Sequence, residues 1–229
     1  MLLYSVDNAT LPLFSYSVEG QIEVTLQKGR VSQTTRPFSL LLLYLLQMTY
    51  HDIDGFFAFE RFYRHVADNL SDGMRIAEVG AYKGKSTSFM AQKIKQRGIH
   101  VTFYAIDHWL GSSEHQHLAD VRSLFQIFTQ NMTECGLTEY VVPVRKPSVE
   151  AARLFADGSL DLVFIDAGHS FEDVKQDIQA WLPKVKPGGI LGGDDYHPKS
   201  WPGVVKAVDE AFGASVQKDF LPAWYIYKE

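Results

Sequence analysis

One stretch constrains the fold above all: Met74-Arg75-Ile76-Ala77-Glu78-Val79-Gly80-Ala81-Tyr82-Lys83-Gly84-Lys85-Ser86-Thr87. Ile76, Ala77 and Val79 suit a strand buried in a parallel sheet. Gly80 and Gly84 let backbone approach a ligand, and Ser86 or Thr87 can cap the helix that follows, whose free N–H groups face the turn. A strand that runs through a glycine turn into a helix is built to hold a nucleotide-like ligand.

What the turn lacks narrows that ligand. A dinucleotide fingerprint reads G-x-G-x-x-G and a phosphate loop G-x-x-x-x-G-K-[ST], whereas Gly80 to Ser86 reads G-x-x-x-G-K-S, one residue short of the second. The shorter turn has too few backbone N–H groups to surround phosphates, and Glu78 beside it repels them. The same carboxylate attracts positive charge, so the expected ligand is a cationic cofactor without phosphates.

Glu78-Val79-Gly80-Ala81-Tyr82-Lys83-Gly84-Lys85-Ser86-Thr87 resembles motif I of the class I S-adenosylmethionine-dependent methyltransferases, in the branch that reads E-V-G-x-x-x-G-x-S-T. Further stretches resemble that family's motifs in order: Ala105-Ile106-Asp107, then Phe164-Ile165-Asp166-Ala167-Gly168-His169, then Lys186-Pro187-Gly188-Gly189 followed by Asp194-Asp195-Tyr196. The resemblance covers about residues 60–229 and rests on the ordered set rather than on any one motif. It implies a Rossmann-like α/β fold with S-adenosylmethionine as cofactor. It also implies cofactor contacts from Glu78, Gly80, Tyr82, Gly84, Ser86 and Thr87 in the turn, from His108 and Trp109 near the adenine, from Ser148 after the next strand, and from Asp166.

Periodicity gives the same architecture independently. Helix patterns at Lys85–Arg97, Leu118–Cys135, Val149–Phe155, Phe171–Leu182 and Gly203–Phe212 alternate with strand patterns at Val101–Ile106, Tyr140–Val144, Leu160–Ile165 and Gly189–Gly193. That alternation predicts a doubly wound sheet, mostly parallel. Ser215–Asp219 and Ala223–Lys228 read as a closing pair, antiparallel because their connection is too short for a crossover helix. Ahead of this fold, residues 1–55 read as a small N-terminal attachment, with a hairpin through Ile22, Val24 and Leu26 turning at Lys28-Gly29 before Val31. The domain proper is expected over 56–229, opening with a helix that packs Phe56, Phe59, Phe62, Tyr63, Val66 and Leu70 on the core.

A chain of 229 residues with 46% hydrophobic content buries one substantial core. A formal net charge of -5 gives no basic footprint for nucleic acid. Cys135 is the single cysteine, which excludes an intramolecular disulfide and a cysteine-rich zinc site and points to the cytoplasm. The first residues lack the pattern of a secretory signal, and the apolar run Phe38–Met48 is too short to span a bilayer, so no membrane partner is expected. That run suggests a buried helix or a contact between copies in a homo-oligomer.

Asp107 falls at the end of the second strand, where a carboxylate accepts hydrogen bonds from both ribose hydroxyls of a nucleoside; an aspartate there also serves as a turn cap. Asp166, Asp194 and Asp195 follow two strands expected to be neighbours, and three carboxylates together call for a hard cation such as Mg²⁺. The set resembles the metal site of cation-dependent O-methyltransferases. His169, three residues after Asp166, is placed to take a hydroxyl proton. His169 and Asp166 are therefore the catalytic candidates of an O-methyltransferase acting on a hydroxylated small molecule. Two rivals stand beside it: a metal-dependent hydrolase using the Asp/His cluster, and a nucleoside-binding protein without catalysis.

Overall fold

A computed structural model of the chain describes residues 13–16, 22–25, 48–111 and 123–229. Two compact units are present, Met1–Leu46 and Gln47–Glu229. In the first, β1 (Leu13–Tyr16) pairs antiparallel with β2 (Ile22–Thr25). The alternation at Ile22 and Val24 thus marks a real strand, but its partner lies upstream. The expected turn at Lys28-Gly29, Val31 and all of the Phe38–Met48 run except Met48 lie outside the described residues.

The second unit opens earlier than residue 56. Ile53 is buried in its core, and Met48, Tyr50 and Phe57 pack against that core. Then come α1 (Glu60–Asn69), β3 (Arg75–Val79), α2 (Lys85–Arg97), β4 (Thr102–Asp107), α3 (Leu124–Glu134), β5 (Val142–Arg145) and α4 (Ser148–Ala152). β6 (Leu160–Ile165), α5 (Phe171–Trp181), β7 (Val185–Gly193), α6 (Pro202–Phe212) and β8 (Trp224–Tyr227) complete it. The six strands lie in the order β5-β4-β3-β6-β7-β8, all neighbours parallel except β7 and β8. This is the Rossmann-like α/β sheet expected from the alternation. The closing pair differs in detail: β8 pairs with β7, whereas the Ser215–Asp219 stretch contributes one isolated bridge, Gln217 to Tyr225. Among the described residues no helix is long and apolar enough to cross a membrane.

The chain moves outward from β3 to β4 and β5, then returns to place β6 on the other side of β3. Ligands of such sheets bind at this reversal, beyond the C-terminal ends of the strands. Backbone bonds run past the strand ends here: Asp166 N–H to Val79 O at 2.7 Å, Gly80 N–H to Ile106 O at 2.8 Å and Asp194 N–H to Ile165 O at 3.1 Å. The turns after β3, β6 and β7 therefore start side by side.

Alternation along β3 sorts its side chains between two cores. Ala77 and Val79 join the layer under α4, α5 and α6, while Ile76 joins the aromatic layer under α1, α2 and α3. Phe59, Phe62 and Tyr63 of that layer pack their rings on Phe164 of β6, at centroid distances of 4.5, 5.3 and 5.0 Å. Phe56, expected among them, is instead 82% exposed, because α1 begins only at Glu60.

Glu78 faces the aromatic layer and is 0% exposed. Tyr63 of α1 donates to its Oε1 at 3.1 Å, and Thr87 of α2 donates to Oε2. Burial raises its pKa to about 7, against the lowering effect of hydrogen bonds from Ser86, Thr87 and Tyr63. Ser86 and Thr87 thus do not cap α2, whose N-cap is Gly84 in the left-handed conformation; their hydroxyls lie in the first turn, aimed at Glu78.

Two measurable consequences follow from this frame. At Gly80, φ is +99° and a Cβ would lie 1.7 Å from the Asp166 carbonyl oxygen, whereas at Gly73, φ is +81° and nothing lies within reach. Gly80→Ala should cost about 3 kcal/mol or more in urea unfolding and Gly73→Ala about 1–2 kcal/mol, the backbone penalty alone. Equal costs would show that the close approach to Asp166 is not what requires Gly80. For Glu78, the folded state holds its proton more tightly than the unfolded chain. Its contribution is complete below pH 4.5, the ordinary value, and is lost as pH rises through about 7. Glu78→Gln should therefore gain roughly 1–3 kcal/mol relative to wild type between pH 5 and pH 8; stability curves that stay parallel over that range would disprove a buried, protonated Glu78.

Candidate functional site

The turn after β3 is held by the end of β4. Asp107 Oδ2 accepts the Tyr82 N–H at 2.9 Å and Oδ1 accepts the Trp109 N–H at 2.6 Å, while the Trp109 indole donates to the Tyr82 carbonyl at 2.7 Å. Tyr82 and Trp109 both sit at positive φ, 46° and 52°. Two non-glycine residues in that region need surrounding structure to hold them, and these three bonds supply it. Lys83 pairs with Asp54 at 2.8 Å, and Gly55 lies against the Tyr82 ring, so the segment before α1 borders the turn.

Several residues expected to meet the cofactor are committed to the protein instead. Trp109 is 1% exposed, packed between Phe125 and Phe128 at centroid distances of 4.9 and 4.8 Å, so its ring is core rather than an adenine wall. Gly84 makes room for α3, since a Cβ there would lie 2.7 Å from Met132 and 2.9 Å from Phe128. Ser148 donates to Asp177 and accepts from the Trp181 indole at 2.9 Å, a bond pair within the second core. Glu78, Ser86 and Thr87 are buried together behind the turn. The groups still facing outward at this end are Tyr82, Asp107, partly exposed, and His108, whose Nδ1 accepts from the Leu110 N–H at 2.9 Å.

The second half of the site lies beyond β6 and β7. Asp166, His169 and Asp195 each bring one possible ligand atom within 4.8 Å of the others. Asp194, expected as the third carboxylate of that set, is not among them. It nevertheless lines the same cavity as Asp166, His169 and Asp195, together with Ile165, Val174, Val204 and Trp224. Asp194 is 7% exposed, and its Oδ1 has no hydrogen-bond partner among the described residues. Burial pushes its carboxyl up to about 7, despite a bond from the Asp195 N–H, and Asp195 raises it further. Asp166 is held well above the usual carboxylate range by burial first, then by the charges of Asp194 and Asp195. Asp195 adopts φ 61°, another strained non-glycine backbone.

His169 Nε2 lies 2.8 Å from Asp195 Oδ2, and its ring stacks on Trp201 at 4.1 Å with 27° between planes. Trp201 precedes α6 directly, and Gly203 in the first turn lets that helix dock on the His169 loop; a Cβ at 203 would lie 2.7 Å from the His169 carbonyl oxygen. Sequence reasoning missed Trp201. Its signal was the run Trp201-Pro202-Gly203, a helix start with a small residue in its first turn.

The site thus joins the glycine turn after β3 to an acidic cluster beyond β6 and β7. Among curated relatives, the uncharacterized protein y4gI of Sinorhizobium fredii is 27% identical over 117 residues, 51% of this chain, and the chain spans only 12% of its length. The O-methyltransferase NovP has a similar fold, with a TM-score of 0.56 at 17% identity over 73% of this chain and 78% of that one. Cofactor-bound Rv0187 from MTB gives a TM-score of 0.56 at 15% identity over 85% and 91%. At such identities these two likenesses speak for the fold alone. Residues 77–196, from the middle of β3 to the cluster beyond β7, match the family model described as a methyltransferase domain, more than half of the chain, and the chain belongs to that family.

Proposed function

We propose that the protein is an S-adenosylmethionine-dependent O-methyltransferase acting on a hydroxylated small molecule, with a divalent cation at the Asp166–Asp195 cluster. The observation that carries the acceptor half is Asp194: a buried carboxylate with an orphaned oxygen, lining one cavity with two further carboxylates and an imidazole. Like charges at this spacing disfavour one another, and a cation in their midst relieves both the repulsion and the missing donor. Family membership supports the cofactor half and leaves the hydrolase and the pure binding protein without a specific observation in their favour. NovP, of similar fold, is an O-methyltransferase, which agrees with transfer to oxygen.

In this reading Asp107 accepts the ribose hydroxyls, the turn at Gly80–Tyr82 shapes the wall beside the methionyl end, and Asp166 lies between the two halves. S-adenosylmethionine supplies an electrophilic methyl group on a sulfonium. A divalent cation lowers the pKa of the accepting hydroxyl. The protein's own task is placement: it keeps the acceptor oxygen in line with the methyl group and its leaving sulfur, which is worth several kcal/mol of barrier. Acceptor contacts, the part played by the N-terminal unit and self-association belong to the same proposal, with no nucleic acid or membrane as partner.

Asp107→Ala should weaken binding of S-adenosylmethionine about 10- to 100-fold by calorimetry, the scale of lost hydrogen bonds to a charged group; wild-type affinity in a folded variant would remove the ribose assignment. Asp166→Asn should reduce methyl transfer to a matched acceptor by at least about 100-fold while S-adenosylhomocysteine still binds, and excess EDTA should do the same to wild type. Full turnover in EDTA would take the cation out of the mechanism.

A further inference from the structure

The sequence offered an all-carboxylate set for a hard ion. The geometry offers something else: Asp166, His169 and Asp195 each bring a possible ligand atom within 4.8 Å of the others, a set that Asp194 does not join although it lines the same cavity. We infer that His169 is a direct metal ligand together with Asp166 and Asp195, and that the resident ion is a nitrogen-accepting divalent metal of the Mn²⁺ to Zn²⁺ kind rather than Mg²⁺. The inference rests on the proposal that a cation occupies this cluster, and it removes His169 from the part of general base, because an imidazole nitrogen engaged by an ion cannot take a hydroxyl proton.

Three independent features carry it. The first is distance. His169 Nε2 and Asp195 Oδ2 stand 2.8 Å apart. Two ligands at right angles on an ion with bonds of about 2.1 Å are about 3.0 Å apart, so the pair is spaced as two neighbouring ligands of one ion would be. The second is support. The His169 ring is stacked on Trp201, and α6 docks on its loop through Gly203, so the imidazole plane is fixed before any ion arrives. Such preorganisation is what a ligating histidine needs and what a mobile surface histidine lacks. The third is the orphan. Asp194, 7% exposed and without a partner for Oδ1, faces the same cavity, and a hydrated cation supplies the donor it lacks.

Ligand chemistry then selects the metal. Mg²⁺ is served by oxygen ligands and retains most of its water, whereas imidazole suits Fe²⁺, Ni²⁺ and Zn²⁺, and Mn²⁺, though served by carboxylates, accepts an imidazole beside them more readily than Mg²⁺ does. Two carboxylates and one imidazole give a site open enough for a substrate oxygen and too nitrogen-rich for Mg²⁺ to be preferred.

The test is direct binding to the full-length chain stripped with EDTA. Calorimetry should show one Mn²⁺ per chain, bound at least about tenfold more tightly than Mg²⁺, and pulsed paramagnetic resonance of the Mn²⁺ complex should show coupling to nitrogen. His169→Gln should abolish that coupling, weaken Mn²⁺ by at least about tenfold and bring the two ions close together in affinity. Equal or tighter binding of Mg²⁺ to wild type, or Mn²⁺ bound without nitrogen coupling, would overturn the inference in favour of an oxygen-only site; so would absence of any stoichiometric ion. If His169→Gln does not fold, the nitrogen signal of the wild-type complex decides alone. S-adenosylhomocysteine binding, measured on the same protein, keeps the readings apart. A chain that binds it but no ion sinks this inference together with the cation of the proposed function and leaves the cofactor standing. A chain that binds Mn²⁺ without nitrogen coupling sinks this inference alone, and a chain that binds Mn²⁺ through nitrogen but no S-adenosylhomocysteine sinks the cofactor reading only.

Discussion

The hydrogen bond from the Asp166 N–H to the Val79 carbonyl, 2.7 Å long, is the contact on which the functional end of the molecule depends. It continues the parallel ladder of β3 and β6 one step past both strands. At that step the two chains must separate, one into the glycine turn and the other into the loop that carries His169. The Asp166 carbonyl then lies so close to residue 80 that only a hydrogen fits on its Cα. Gly80 is therefore a packing requirement of the sheet before it is a feature of any ligand site. With it in place, the glycine turn and the acidic cluster start from adjacent backbone atoms, so in the proposed function a cofactor in one half borders a substrate in the other.

This compactness crowds acids together, and the protein treats them in two ways. Glu78 is fully enclosed, and hydroxyl groups from two helices answer its oxygens, so it ties α1 and α2 to β3 without needing a ligand. Asp194 is nearly as enclosed and Asp166 half-buried, and an oxygen of Asp194 has no partner among the described residues. A buried polar group left unsatisfied costs about 1–3 kcal/mol, more when charged. The contrast separates an acid that serves the fold from acids that await something. It also explains why a substitution at Glu78 should be felt first in stability and one at Asp166 first in chemistry.

Most of the sheet was legible because strand and helix periods are local properties. Leu160–Ile165 was read to the residue, and the glycine stop of α2 at Gly98 follows from composition alone. Three misreadings share one cause, dependence on a distant segment. Gly84 answers to α3, which lies more than forty residues further on, and Ser148 answers to Asp177. Trp109 follows two polar residues in sequence, yet α3 covers it completely. Phe56 fits the helical spacing of its neighbours, but the helix starts four residues later and leaves it in water. In the acidic cluster, adjacency in sequence suggested that Asp194 and Asp195 act alike. The left-handed backbone at Asp195 turns the two side chains to different tasks, and nothing in residue type announces that turn.

Asp107 shows why the choice between a capping and a binding aspartate is a false one. A carboxylate has about four lone-pair sites, and the N–H groups of Tyr82 and Trp109 use one on each oxygen. By count, one further site on each oxygen remains for the two hydroxyl groups of the proposed ribose. The capping bonds also fix the side chain across the glycine turn, so a nucleoside meets a carboxylate already oriented and loses little rotamer freedom in binding. Because one of those bonds supports the left-handed backbone of Tyr82, the carboxylate proposed to accept the ribose also holds the turn beside it. Loss of Asp107 would thus disturb recognition twice, by removing the acceptor and by releasing the turn, whereas an asparagine that keeps one oxygen in place would disturb mainly the charge.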